Sequence, residues 1–494
     1  MARQQDTLSE IGEALCDSLG FNPTSNSTKP LYVANALFRV CGGIKCKVED
    51  IHEWVVSERR SKAKPSAQIL EDYKDIIYLS GDDAAEDIKE TRFYLEKLFN
   101  PDSTVYPSLR NSVMNIPSQW LVCDRKNAEA NIGDFIFGIL NTPIEGKASK
   151  AIQLIREALK DHDDDLTRTI KPLIVRKPED ERIERFSAEA NEIFWNETKL
   201  IIRKGFDRLA DNCEKDGANS LLILRRMVVY TMFATFYYLE DINRVQYGGQ
   251  RIPLLLDADQ RLGAIERASE ASFIACKKAV EAYTIAFVAE WLEAAGLITN
   301  IDSQAAYEDY IATGFSVSTK ATYADKNVCE TILQHIAANC QAGDKPLFAT
   351  AKAIQFALYT YKYPSTTPSD FCNVLGVKTG LVGPSGNATK YKRLLINRFL
   401  LETIVLSAVD GEDLLDGIDL RKLGDILRGS YNIIIGTDTD VDYAVLDEFG
   451  IASGTPEDLR GELSDNAKAI ANMLISMGLA KRYADGVTII GRGL

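Results

Sequence analysis

Residues 221–242 read LLILRRMVVYTMFATFYYLEDI, the densest apolar run in the chain, and before Glu240 only Arg225 and Arg226 bring charge into it. The run predicts a long helix. A second long helix follows over residues 261–296, RLGAIERASEASFIACKKAVEAYTIAFVAEWLEAAG. Between them lies YGGQRIPLLLDADQ, residues 247–260. Its Gly-Gly pair ends the first helix, because glycine loses the most backbone entropy there. Pro253 and the apolar residues around it are neither helix-periodic nor clearly a strand, so this connector reads as a packing or partner-docking element. A helical hairpin this apolar cannot stand alone, and other segments must cover it. A buried arginine needs a partner, and Asp257 or Asp259 in the connector are the candidates for Arg225 and Arg226.

Composition bounds the rest. The 494 residues are enough for two to four domains and a large core. With 57 basic and 71 acidic residues the net charge is −14, which excludes a protein whose whole surface coats nucleic acid but allows a local basic patch. Nine cysteines without a CxxC pair fit a reducing compartment rather than a disulfide framework. The N-terminal stretch carries acids and glutamines instead of an apolar h-region, so it does not read as a signal peptide. The most hydrophobic window, residues 227–239, is short of the roughly 20 residues that span a bilayer. These features predict a cytoplasmic protein that does not enter a membrane.

Apolar spacing divides the chain into four parts: an N-terminal helical domain (1–165), a central helical core (172–346), a helical region with a basic glycine-rich loop (347–435) and a C-terminal module (436–494). Helices are expected over residues 7–19, 29–40, 51–60, 84–99, 131–140 and 147–160 in the first part. Further helices are expected over 179–212, 304–313, 326–342, 347–361 and 391–407.

The last part carries the clearest local signals. Residues 440–449 read as a helix ended by Gly450. Thr455-Pro456-Glu457-Asp458 is a helix start, with a cap, a proline at the first helical position and acids in the first turn. That helix is expected to end near Leu463, and Ser464 or Asp465 to cap another over 466–477. Two β-type runs, 479–483 and 487–490, flank Ala484-Asp485-Gly486, a strong hairpin signal. Helices followed by a β-hairpin resemble a winged helix-turn-helix. The resemblance implies a recognition helix over 466–477, with Asn466, Lys468 and Asn472 exposed on it and Lys481 and Arg482 at the base of the wing. Between Thr455 and Leu494, five positive and five negative residues balance. Protein docking or a purely structural role therefore stays open beside DNA contact.

One window is basic without interruption. FCNVLGVKTGLVGPSGNATKYKRLLINRFLL, residues 371–401, contains Lys378, Lys390, Lys392, Arg393 and Arg398 and no acid. Lysines beside the N–H groups of a helix start, expected here at residues 389–393, suit phosphate. The window is not a P-loop, because Lys390 stands at the wrong distance from Gly386 and no Ser or Thr follows it. Its cations could equally pair with acids elsewhere in the chain.

Other chemistry is not indicated. Asp438-x-Asp440-x-Asp442 looks like the front of a calcium loop, but Tyr443 and Phe449 occupy the places of the required glycine and glutamate, so a loop cluster with a helix cap is the better reading. Three scattered histidines offer no metal site, and no nucleophile-elbow or dinucleotide-binding pattern occurs. Gln250-Arg251-Ile252-Pro253-Leu254-Leu255-Leu256-Asp257 with its following helix, and Arg482-Tyr483-Ala484-Asp485-Gly486-Val487, resemble helical accessory subunits of bacterial anti-phage DNA-restriction systems. That resemblance implies antiviral defence.

The reading is a mainly α, multi-domain protein with a C-terminal winged helix. It is expected to be a non-enzymatic scaffold or adaptor without cofactor, bound to other subunits of a complex and to double-stranded DNA. Two alternatives remain: a purely structural interaction subunit, or a metal-dependent enzyme using Asp438 or Asp440.

Overall fold

The computed structural model describes residues 6–23, 30–42, 44–46, 54, 65–72, 84–99, 131–160, 183–185, 195–296, 302–364, 366–384, 391–452 and 456–492. The described chain is mainly α-helical, with only short strands. Its centre is the helix Ser220–Tyr247, in which every residue from Arg226 to Ile242 is buried. Asn219 starts it by accepting from the Leu222 N–H at 2.9 Å. Its β-branched and aromatic residues are middling helix formers, so packing on all sides rather than propensity holds it. Glu197–Lys215, Gly263–Ala294, Pro368–Thr379, Arg398–Ala408, Pro30–Gly42 and Lys150–Lys160 supply the cover. This is the one described helix long and apolar enough to cross a bilayer, yet 78% of its apolar window is buried inside the protein.

Close approaches make this packing possible. A Cβ on Gly205 would stand 1.7 Å from the Tyr230 hydroxyl. That hydroxyl meets Tyr431 Oη at 2.9 Å, tying the central helix to a segment about 200 residues later. One apolar core cluster runs from Leu8 to Ile490, so elements on both sides of residues 165, 346 and 435 share it.

The arginine pair finds partners other than those expected. Arg226 pairs with Glu402 and, at 3.2 Å, with Asp216. Arg225 lies 3.6 Å over the Phe399 ring. Asp257 and Asp259 are taken by Arg393 instead. Sequence proximity favoured the connector acids, but helix Arg398–Ala408 lies against the central helix and delivers Glu402.

The connector is a seam. Leu254–Leu255 is a short strand pairing in parallel with Ile433–Ile434, and Asp257 bridges to Leu395. The Leu254 and Leu256 N–H groups donate to Asn432 and Ile434 at 2.9 and 3.0 Å, and Asp257 N–H to Leu394 at 2.9 Å. Backbone buried this deeply must be paired, which explains an apolar stretch without helical periodicity.

Several predicted boundaries move. Ile183–Arg185, expected inside a helix, is a strand antiparallel to Ile44–Cys46, and the helix begins at Glu197 behind the Asn196 cap. The helix expected from residue 391 begins at Arg398, where Asn397 caps it, because Arg393–Leu394 pairs with Val382–Gly383 instead. Of the helix expected over 51–60, all but Trp54 lies outside the described residues.

Candidate functional site

Helix Pro456–Ser476 is continuous. The break expected near Leu463 is absent: Ser464 and Asp465, expected to cap a second helix, lie inside this one. Leu459, Leu463, Asn466, Ile470 and Leu474 form one buried stripe, and Lys468 and Asn472 lie on the exposed face. Asn466, expected to be exposed, is therefore buried. Its Nδ2 donates to Leu256 O at 2.8 Å and Ile435 O at 3.2 Å, and its Oδ1 accepts from Ala258 N–H at 2.9 Å. It clamps the connector rather than facing a ligand. The spacing Leu463, Asn466, Ile470 already places it on the apolar stripe, a signal outweighed by its polarity.

A three-stranded antiparallel sheet follows. Thr488–Ile490 lies between Ala480–Arg482 and Ile418–Asp419. The third strand, only two residues long, carries no sequence signal of its own. The turn is closed by Tyr483 N–H to Val487 O at 2.9 Å and by Val487 N–H to Asp485 Oδ1 at 3.0 Å.

Beside the helix, an acidic loop, residues 436–438, leads into the first turn of helix Thr439–Glu448, which carries Asp440. Gly436 has φ +93°, and a Cβ there would stand 2.0 Å from Leu463 O, so only glycine lets the loop approach the helix this closely. Asp442 is buried and accepts from Gly436 N–H at 3.1 Å while pairing with Arg428. Burial pushes its carboxyl upward, against the pull of Arg428. Asp438 caps helix Thr439–Glu448 and pairs with Arg421. The Val441 N–H and the Arg421 guanidinium hold the Asp438 carboxyl below its ordinary range. Asp419 caps helix Leu420–Tyr431. The acids of the calcium-like run are thus a cap, an exposed residue and a buried anchor. Among the described residues no group of three or more His, Cys, Asp or Glu could hold a metal ion.

These parts enclose an open groove of about 1100 Å³ between the exposed face of helix Pro456–Ser476, the hairpin, the start of helix Leu420–Tyr431 and the acidic loop. Three predicted residues come together on its lining: Lys468, Asn472 and Arg482. Arg421, which the sequence reading missed, joins them. Arg482 Nη2 donates to Asn472 Oδ1 at 3.0 Å, which orients both side chains. Lys468 is exposed and 2.9 Å from the equally exposed Asp465, an arrangement easily exchanged for another anion. Lys481 is outside the lining, its ammonium 5.5 Å from the Tyr483 ring centre.

The basic window does not form a second site of the expected kind. Arg393 is 12% exposed and pairs with Asp257 at 2.5 Å, Asp259 at 3.0 Å and Glu266 at 2.9 Å. Its charge is spent inside the fold, so its assignment as a phosphate contact is corrected. Lys392 precedes it on the strand side rather than at a helix start, and burial followed by the nearby Lys277 lowers its pKa. Lys378 is exposed in the last turn of Pro368–Thr379, and Arg398 is exposed at the first position of its helix. Lys390 lies outside the described residues.

Comparison with protein-family models and with curated protein sequences gives no match.

Proposed function

We propose that this protein is a non-catalytic scaffold or adaptor of a DNA-acting complex, of the kind that serves restriction or antiviral defence, and that it meets double-stranded DNA through the C-terminal groove. Helices followed by a hairpin, with a further short strand completing the sheet, support reading the C-terminal part as a winged helix. The observation that carries the proposal is the convergence of Arg421, Lys468, Asn472 and Arg482 on one open groove. Guanidinium, ammonium and carboxamide groups lining an open groove are the donors that phosphates and base edges accept from. The helical body offers the rigid mass on which other subunits would assemble.

The test is binding of a fluorescent DNA duplex across a salt series. About three phosphate contacts predict a slope of log affinity against log salt near −2 to −3. Lys468→Glu with Arg482→Glu should remove most of that affinity. Equal binding by this variant and the unaltered protein would reject the groove as a DNA site.

A second reading rests on a separate observation. Tyr483 and Val487, at the ends of the hairpin turn, are 44% and 43% exposed. An aromatic and a β-branched side chain on a protruding turn suit protein docking. In that case Tyr483→Ser would abolish capture of a neighbouring subunit and leave DNA affinity unchanged.

A further inference from the structure

The groove contains its own anions. Asp438, which caps helix Thr439–Glu448, and Asp440, in its first turn, line the same space as Arg421 and Arg482. Asp438 is paired with Arg421, and Asp440 Oδ1 is 3.6 Å from Arg460 Nε. Arg421 is 71% exposed while the Asp438 side chain is only 13% exposed. The mobile partner of this pair is thus the cation, and the carboxylate is fixed by its capping role and by the buried Asp442 behind the loop.

We propose that the acidic loop and the helix turn after it are a built-in competitor for the groove: their two carboxylates, Asp438 and Asp440, occupy the place of nucleic-acid phosphates, and Arg421 must exchange Asp438 for a phosphate when DNA enters. This rests on the groove being a DNA site. The loop then sets affinity rather than providing it. A groove with three cations and no acids would hold any polyanion, whereas one with resident carboxylates retains only a ligand that supplies several contacts at once.

The experiment compares three forms of the full chain by fluorescence anisotropy on one duplex at low and physiological salt: unaltered, Asp438→Asn with Asp440→Asn, and Lys468→Glu with Arg482→Glu. Asparagine caps a helix as well as aspartate, so the first variant keeps its fold, which a melting curve verifies. Removing the two carboxylates should tighten binding about tenfold at low salt, with a smaller gain at physiological salt because exposed charges are screened. Binding only by the asparagine variant would support the inference in its strongest form. Binding by the unaltered protein that is lost in the glutamate variant but unchanged in the asparagine variant would overturn the competitor and leave the DNA site standing. Absence of binding by both the unaltered and the asparagine forms would overturn the two together.

Discussion

Two clusters of cations were visible as residues and differ in what the fold does with them. Arg393 is enclosed by Asp257, Asp259 and Glu266, and Asp257 is completely buried. Lys468 and Arg482 stand in an open groove, beside acids already engaged as caps or with other arginines. A positive residue is available to a ligand only when its nearest carboxylate is missing or easily released. The acid-free window around Arg393 satisfied that condition along the sequence and failed it in space. The C-terminal part, acidic by count from residue 436 on, meets it locally.

Breaking the enclosed cluster should have the largest effect. Arg393→Glu leaves Asp257 buried without its counter-charge and adds another carboxylate, so a loss of at least about 3–5 kcal/mol is expected, seen as a large drop in the denaturant midpoint. A stable Arg393→Glu protein would show that the cluster is not structural. The paired change Asp257→Asn with Arg393→Met should cost much less than the sum of the single changes, because neither charge is then stranded.

Asn466→Ala comes next. It removes the Asn466 bonds to one carbonyl and one N–H of the connector and to the Ile435 carbonyl, for an expected loss of about 2–4 kcal/mol. A loss below about 0.5 kcal/mol, the range for ordinary surface positions, would return Asn466 to the ligand-facing side of the comparison.

Glu240 sharpens the contrast from another direction, since it is a buried carboxylate without Asp257's enclosing arginine. It is 1% exposed, and neither of its oxygens has a hydrogen-bond partner. Burial, then the charge of Asp241, push its carboxyl well above the ordinary range. Because the folded-state value is the raised one, the neutral acid favours folding at low pH. That contribution declines as pH rises above the ordinary carboxylate range of about 4.3 and is lost through the folded-state value. Glu240→Gln should flatten the pH dependence of stability above the ordinary carboxylate range, with a gain that grows as pH rises toward the folded-state value. An unchanged slope in denaturant titrations would contradict this. The smallest effect on stability is expected for Lys468→Glu with Arg482→Glu, within about 0.5 kcal/mol per site.

How much of this was legible in the sequence depends on range. The central helix, the proline-led start of Pro456–Ser476 and the Asp-Gly hairpin announce themselves, because each is specified by residues within a few positions of one another. The Leu254–Leu255 strand does not, since its partner is Ile433–Ile434 and a two-residue ladder leaves no period to detect. Arg226 shows the same limit for charges: the need for a carboxylate was evident, but Glu402 comes from a helix that only packing brings alongside. Of the candidate site, Lys468, Asn472 and Arg482 were found from pattern. Arg421 was missed because its place depends on a strand, Ile418–Asp419, that exists only through its pairing with Thr488–Ile490.

The connector seam also has a timetable. Its backbone groups at Leu254, Leu256, Asp257 and Ala258 are closed by residues near 394, 432–434 and 466. At a synthesis rate of roughly 5–20 residues per second, the parallel partner is made about 10–40 s after the connector itself. Until then the most apolar hairpin of the chain has an unsealed flank. The final fifth of the polypeptide therefore acts as the closure of a core begun much earlier, and a chain interrupted before residue 432 would keep that flank open to any protein able to bind an exposed apolar strand.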